Sequence, residues 1–86
     1  MDKSIYNSPW HVYIAKCSDD TMYTGIAIDV AERIHQHNIT SKCKHTRDRK
    51  PIVLLYQEIR ENYSLARKRE TQIKGFSRIK KLALIK

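Results

Sequence analysis

Apolar and polar positions fall first in short extended blocks and later at helical spacing. Trp10-His11-Val12-Tyr13-Ile14-Ala15-Lys16 is rich in aromatic and β-branched residues, which pack well on a pleated surface, and predicts a strand. Ser18-Asp19-Asp20 is turn chemistry, since short polar side chains satisfy nearby backbone donors. Thr21-Met22-Tyr23-Thr24-Gly25-Ile26 then predicts the returning strand of a hairpin. Asp29 with Glu32 three positions on is an Asp form of the capping box, and Val30 and Ile34 give the helix it opens a buried stripe to about residue 38. From Asn38 to Lys50 the chain is polar and basic and reads as a loop. Pro51 ends it, and Ile52-Val53-Leu54-Leu55-Tyr56 is a continuous apolar run typical of a central strand.

A second helix is expected from about Ser64 to Lys74, closed by Gly75 at the position that C-caps favour. Ser77 can cap a last helix whose apolar side is Ile79, Leu82, Ala83 and Ile85. Strand, strand, helix, strand, helix, helix is the order of a small α+β fold, three strands flanked by helices. Residues 1–9 read as a loose lead-in to a single domain spanning 1–86.

Composition narrows the class. Eighty-six residues cannot divide into two independent cores, and a 41% hydrophobic share is ordinary for a chain that folds. No stretch approaches the roughly 18–20 apolar residues of a membrane span, and Met-Asp-Lys-Ser-Ile-Tyr is too polar for a signal peptide. A cytoplasmic protein with no membrane partner is expected. Seventeen Lys+Arg against nine Asp+Glu give a formal charge of +8, which attracts polyanions, nucleic acid first among them. The plainer alternative is a surface kept soluble by its own repulsion. Cys17 and Cys43 form no CxxC pair and read as free thiols. A zinc site with Cys17, Cys43 and two of His35, His37 and His45 is disfavoured, because His35 and His37 point about 200° apart on a helix.

Glu70 is the most informative residue. The core-facing stripe of its helix reads as Leu65, Ala66, Arg69 and Ile73, so Glu70 lies on or beside it. A carboxylate against the body of a small domain is costly unless cations or hydrogen bonds compensate it. It is either an ion pair with Arg67 or Lys74, or a ligand for a hard divalent cation. Arg33 shares a helical face with His37 and can either clamp a phosphate or sit solvated. Tyr13 and Tyr23 occupy the two hairpin strands. A two-residue Asp19-Asp20 loop puts them on opposite faces, whereas an odd loop or a bulge pairs 15 with 23 and puts both on one face. Gly25 is expected to bring its backbone against the helix that begins at Asp29.

Val12-Tyr13, then Tyr23-Thr24-Gly25, Arg33 and a late Glu70, with Cys17-Ser18-Asp19, His37-Asn38, Thr46-Arg47 and Ile73-Lys74 between and around them, resemble the GIY-YIG nuclease family, closest to its small stand-alone bacterial members. The likeness covers roughly residues 10–85. It implies an antiparallel three-stranded sheet and metal-dependent hydrolysis of DNA. Glu70 would hold Mg²⁺ or Mn²⁺, and Arg33 would stabilise charge on the scissile phosphate. One of Tyr13 and Tyr23 would act as general base or orient water, and His37 would line the site. Two departures stand out: His11 replaces the glycine of the first tripeptide and Thr24 the isoleucine of the second. An unperturbed phenol, with pKa near 10, is a poor base at neutral pH, so such a role needs a neighbour that favours its ionised form.

The leading expectation is a nuclease whose Lys42, Lys44, Arg47, Arg49 and Lys50 contact DNA phosphates without reading sequence, with RNA not excluded. A nucleic-acid-binding module without chemistry and a protein-interaction adaptor are the alternatives.

Overall fold

The computed structural model describes residues 4–40 and 49–85. Its single sheet is antiparallel with strand order β2-β1-β3, where β1 is Trp10–Lys16, β2 Met22–Ala27 and β3 Val53–Arg60. Helix α1 is Ser4–Asn7, α2 Val30–Ile39, α3 Tyr63–Lys74 and α4 Arg78–Ile85. The α+β order expected from the sequence is therefore present, with one short helix added in front.

The hairpin turn decides the register. The Cys17 N–H donates to the Thr21 carbonyl at 2.8 Å and the Asp20 N–H to the Cys17 carbonyl at 3.0 Å. Asp20 then takes φ 68°, the left-handed position glycine usually fills in three-residue hairpin loops and that Asp tolerates better than most residues. Asp19 Oδ1 accepts from the Thr21 hydroxyl at 2.6 Å and from its N–H at 3.1 Å, and these bonds hold the Asp19 pKa below its ordinary value. With an odd loop, Ala15 lies opposite Tyr23 and Tyr13 opposite Gly25, so both tyrosines share a face.

Side chains alternate along β1, and two cores result. Val12 and Ile14 pack with Ala66 and Ile73 of α3 on one face. Tyr13 and Ala15 pack with Ala27, Val30 and Ile52 on the other, where Ile34 of α2 joins them.

Four expectations are corrected. The run Ile52–Tyr56 does not form a central strand: β3 is an edge, and β1 takes the centre with Val12 to Ala15 all buried. The run misleads because Ile52 is buried just ahead of the strand, while Val53 and Ile59 point outward, 54% and 58% exposed. On α3, Leu65 is exposed and Arg69 only partly buried, and the buried stripe is Ala66, Glu70 and Ile73. On α4, Ser77 Oγ accepts from the Lys80 N–H and Ile85 packs as expected, but Ile79 and Leu82 are 82% and 43% exposed and Leu84 packs in their place. The lead-in is held from Ser4 onward: the Trp10 indole donates to the Ile5 carbonyl at 2.7 Å, and Tyr6 and Trp10 meet the Tyr63 ring edge-on.

Both α2 and α3 begin at side-chain caps. Asp29 Oδ1 accepts from the Glu32 N–H, and Asn62 Oδ1 from the Leu65 N–H. The Glu32 carboxylate accepts from Gln36 instead of reaching back, so the capping box is one-sided. No helix among the described residues is long and apolar enough to cross a membrane.

Candidate active site

Three side chains converge on the α2 face of the sheet. Tyr13 is 1% exposed, and its hydroxyl lies 3.3 Å from His37 Nε2. The Tyr23 ring stands 5.2 Å from the imidazole, edge-on, and 6.2 Å from the Tyr13 ring. Hairpin register puts the tyrosines there. His37 arrives because it follows Val30 by seven positions and Ile34 by three, so it continues the buried stripe of α2 where an aliphatic residue would pack equally well.

Two neighbours hold this arrangement. Gly25 faces Tyr13 across the strands, and a Cβ built on it would lie 2.7 Å from the phenol oxygen. The absent side chain therefore makes room for Tyr13, not for the helix after Asp29 as the sequence suggested. Asn38 clamps the end of α2 to the chain entering β3, its Oδ1 accepting from the Ile52 N–H at 2.7 Å and its Nδ2 donating to the Ile52 carbonyl at 3.1 Å.

Arg33 lies one turn before His37 but is exposed, at the rim of a cleft of about 330 Å³ that it shares with Trp10, Ala27, Asp29 and Glu32. The shared helical face thus places the imidazole inside and the guanidinium at the surface.

Glu70 is 6% exposed. Its Oε1 accepts from Arg67 Nη1 at 2.8 Å and its Oε2 pairs with Lys74 Nζ at 3.2 Å. The ion-pair arrangement weighed from the sequence is present twice over, with both cations from the same helix. Ala66 and Ile73 beside Glu70 pack on Val12 and Ile14, the face of β1 opposite Tyr13. Edge strand β2 is touched by both α2 and α3, and so lies between the aromatic cluster and the carboxylate helix.

Of the basic residues expected on nucleic acid, Lys42, Lys44 and Arg47 lie outside the described residues, as does Cys43. Arg49 is tied to the hairpin turn, its Nε 3.1 Å from Asp19 Oδ2 and its carbonyl accepting from the Ser18 N–H. Lys50 is partly buried.

Among the described residues no three His, Cys, Asp or Glu side chains gather as a metal cage would. A single carboxylate suits Mg²⁺, which keeps most of its waters. Glu70 fits that description on one condition: Arg67 and Lys74, both more than half exposed, must turn away.

A second polar cluster escaped the sequence reading. On the α3 face, Glu58 accepts from the Tyr56 hydroxyl at 2.7 Å and from Arg69 Nε, and it also pairs with Arg60. Burial pushes the Glu58 carboxyl up, but the Tyr56 hydrogen bond and the two guanidiniums outweigh it and its pKa falls. Burial, with the Glu58 carboxylate beside it, pushes the Tyr56 phenol up. These bonds tie β3 to α3.

Comparison with known proteins places the chain in a family. A family model described as the GIY-YIG catalytic domain matches residues 9–82. UPF0213 proteins of Staphylococcus aureus strains Mu3 and USA300 are each 52% identical over 75 residues, spanning 87% of this chain and 92% of theirs. The solution NMR structure of a UPF0213 protein from Bacillus halodurans is similar with a TM-score of 0.57 at 35% identity, covering 90% of this chain and 82% of that one.

Proposed function

This chain belongs to the GIY-YIG family, and on that premise we propose that it is a divalent-metal-dependent nuclease that hydrolyses phosphodiester bonds in DNA in the cytoplasm. The observation that carries the reading is the Tyr13–His37–Tyr23 cluster. A buried histidine touching two phenols is costly to desolvate where aliphatic side chains would do, and such a cost is ordinarily met for chemistry.

The two tyrosines divide the work. Tyr13 is sealed from solvent, so it orients His37. Tyr23, only partly buried, is the phenol that meets the attacking water, with the imidazole ring packed edge-on beside it. Arg33, on the exposed rim, offers bidentate donors to the scissile phosphate and stabilises the charge that develops there. Glu70 would hold Mg²⁺ or Mn²⁺, and the bound ion supplies neutralisation of phosphate charge and a more acidic water. Basic side chains that contact phosphates without reading bases fit cuts directed by DNA structure, damage or ends, as in repair.

The doubly paired Glu70 favours a second reading, a non-catalytic nucleic-acid-binding module on the same fold. A panel of labelled single-stranded, duplex, flapped and branched DNAs separates the two, with Mg²⁺, Mn²⁺ or chelator and Glu70→Ala beside the parent. Metal-dependent products that vanish in the variant while binding persists are the expected result. Salt-sensitive binding by both proteins without cleavage would replace the nuclease with the binding module.

A further inference from the structure

We propose that the groove between the end of β3 and α3 is a second contact site for the phosphate backbone of nucleic acid, separate from the aromatic cluster and from the basic segment 42–50. This rests on the nucleic-acid reading above and names where on the surface the polyanion runs.

The groove is a shallow depression of about 600 Å³, open to solvent and lined by Arg60, Leu65, Lys68, Arg69, Thr71 and Gln72. Its guanidiniums are held in place before any ligand arrives. Arg69 Nε donates to both oxygens of Glu58 at 3.2 and 3.1 Å, its Nη1 donates to Gln72 Oε1 at 2.7 Å, and its carbon lies 5.8 Å over the Phe76 ring. Arg60 pairs with the same Glu58 and donates to the Ile59 carbonyl. One carboxylate thus serves two guanidiniums, and exposed Lys68 has no partner among the described residues. The groove keeps a net positive charge on a preorganised wall, the arrangement that binds oxyanions at least ordering cost.

The extent of charge favours a chain of phosphates over a single small anion. From Glu58 to Lys81 the sequence carries eight basic residues and three acidic ones, which is five of the eight net positive charges of the whole protein. One anion would use two or three of these cations, whereas a polyanion laid along α3 reaches Lys68 together with Arg67 and Lys74, which share the single carboxylate of Glu70, and releases counterions from its own backbone. A large share of the positive charge that draws DNA is therefore carried by the segment that contains α3 and α4.

The test is binding of a fluorescently labelled DNA duplex in chelator, so that nothing is cut, measured by anisotropy over a range of NaCl concentrations. Lys68→Gln and Thr71→Glu alter the groove at exposed positions, and Lys16→Gln removes an equal charge at the far end of β1. Lys68→Gln is expected to weaken binding about threefold at low salt and to lower the slope of log affinity against log salt by about 1. Thr71→Glu should weaken binding about tenfold, with Lys16→Gln close to the parent. If the parent binds with ordinary salt dependence and Lys68→Gln and Thr71→Glu match it, the groove is refuted while the nucleic-acid reading stands. No salt-dependent binding by the parent overturns both. Should Thr71→Glu fail to fold, Lys68→Gln decides alone, because its side chain has no structural partner to lose.

Discussion

The two faces of β1 are built by different rules. Toward α3, Val12 and Ile14 meet Ala66 and Ile73, all 0% exposed, and packing is all that face asks of them. Toward α2, the same strand offers Tyr13, and the opposing elements offer Tyr23 and His37 in place of aliphatic side chains. The first face gains its stability from apolar area removed from water. The second gives some of that up for hydrogen-bonding groups at fixed positions. Apolar packing thus dominates one side of the strand and hydrogen-bonding side chains the other, with Glu70 and the Tyr56–Glu58–Arg69 cluster as the polar groups on the α3 side.

Substitutions that load one face and spare the other can break this division. Ile73→Ala carries the largest expected effect, a loss of about 3–4 kcal/mol and roughly 15–25 °C in melting temperature. Cleavage assayed well below that melting point should stay within a few-fold of the parent; its disappearance in a folded variant would show that the faces are not separate. Gly25→Ala should cost less stability, about 1–3 kcal/mol by urea unfolding. It should nonetheless reduce cleavage far more, because the new methyl drives the Tyr13 ring off His37. Parent-like turnover in this variant would remove Tyr13 from the site. The smallest effect sharpens the contrast from within the stabilising face. Thr24 Oγ1 is buried there without a hydrogen-bond partner among the described residues, opposite Ile14. Thr24→Val should therefore stabilise by about 1 kcal/mol, seen as a rise of roughly 5 °C, with cleavage unchanged. A lower melting temperature would mean that the hydroxyl has a use.

How much of this could be read from the chain depends on whether the deciding contact is local. Asp29 and Ser77 announced their helices because a cap is satisfied within three residues. Glu70 was legible as lying on or beside the buried stripe because Ala66 and Ile73 bracket it at helical spacing. The hairpin register was left between two alternatives, since it turned on Asp20 adopting a positive φ that its side chain permits but does not demand. The role of β3 as an edge, and the packing of α4 through Leu84 with Ile79 left exposed, depend on which partner is missing or near, which periodicity does not encode. The 24-residue separation of Tyr13 and His37 hides their contact in the same way. Arg33 and His37 are one turn apart, yet one is exposed and the other buried, a distinction smaller than the resolution of a helical-wheel count.

The central place of β1 has a consequence for how much variation the chain can accept. Val12, Tyr13, Ile14 and Ala15 are buried in unbroken succession, so no side chain in this stretch has water as a fallback. Even positions answer to the volume available under α3, and odd ones to the shape of the cluster under α2. A substitution that suits one neighbour still has to be accommodated by strands hydrogen-bonded on both sides. Few four-residue words satisfy both demands, so this stretch is expected to tolerate substitution less than the half-exposed strands on either side of it.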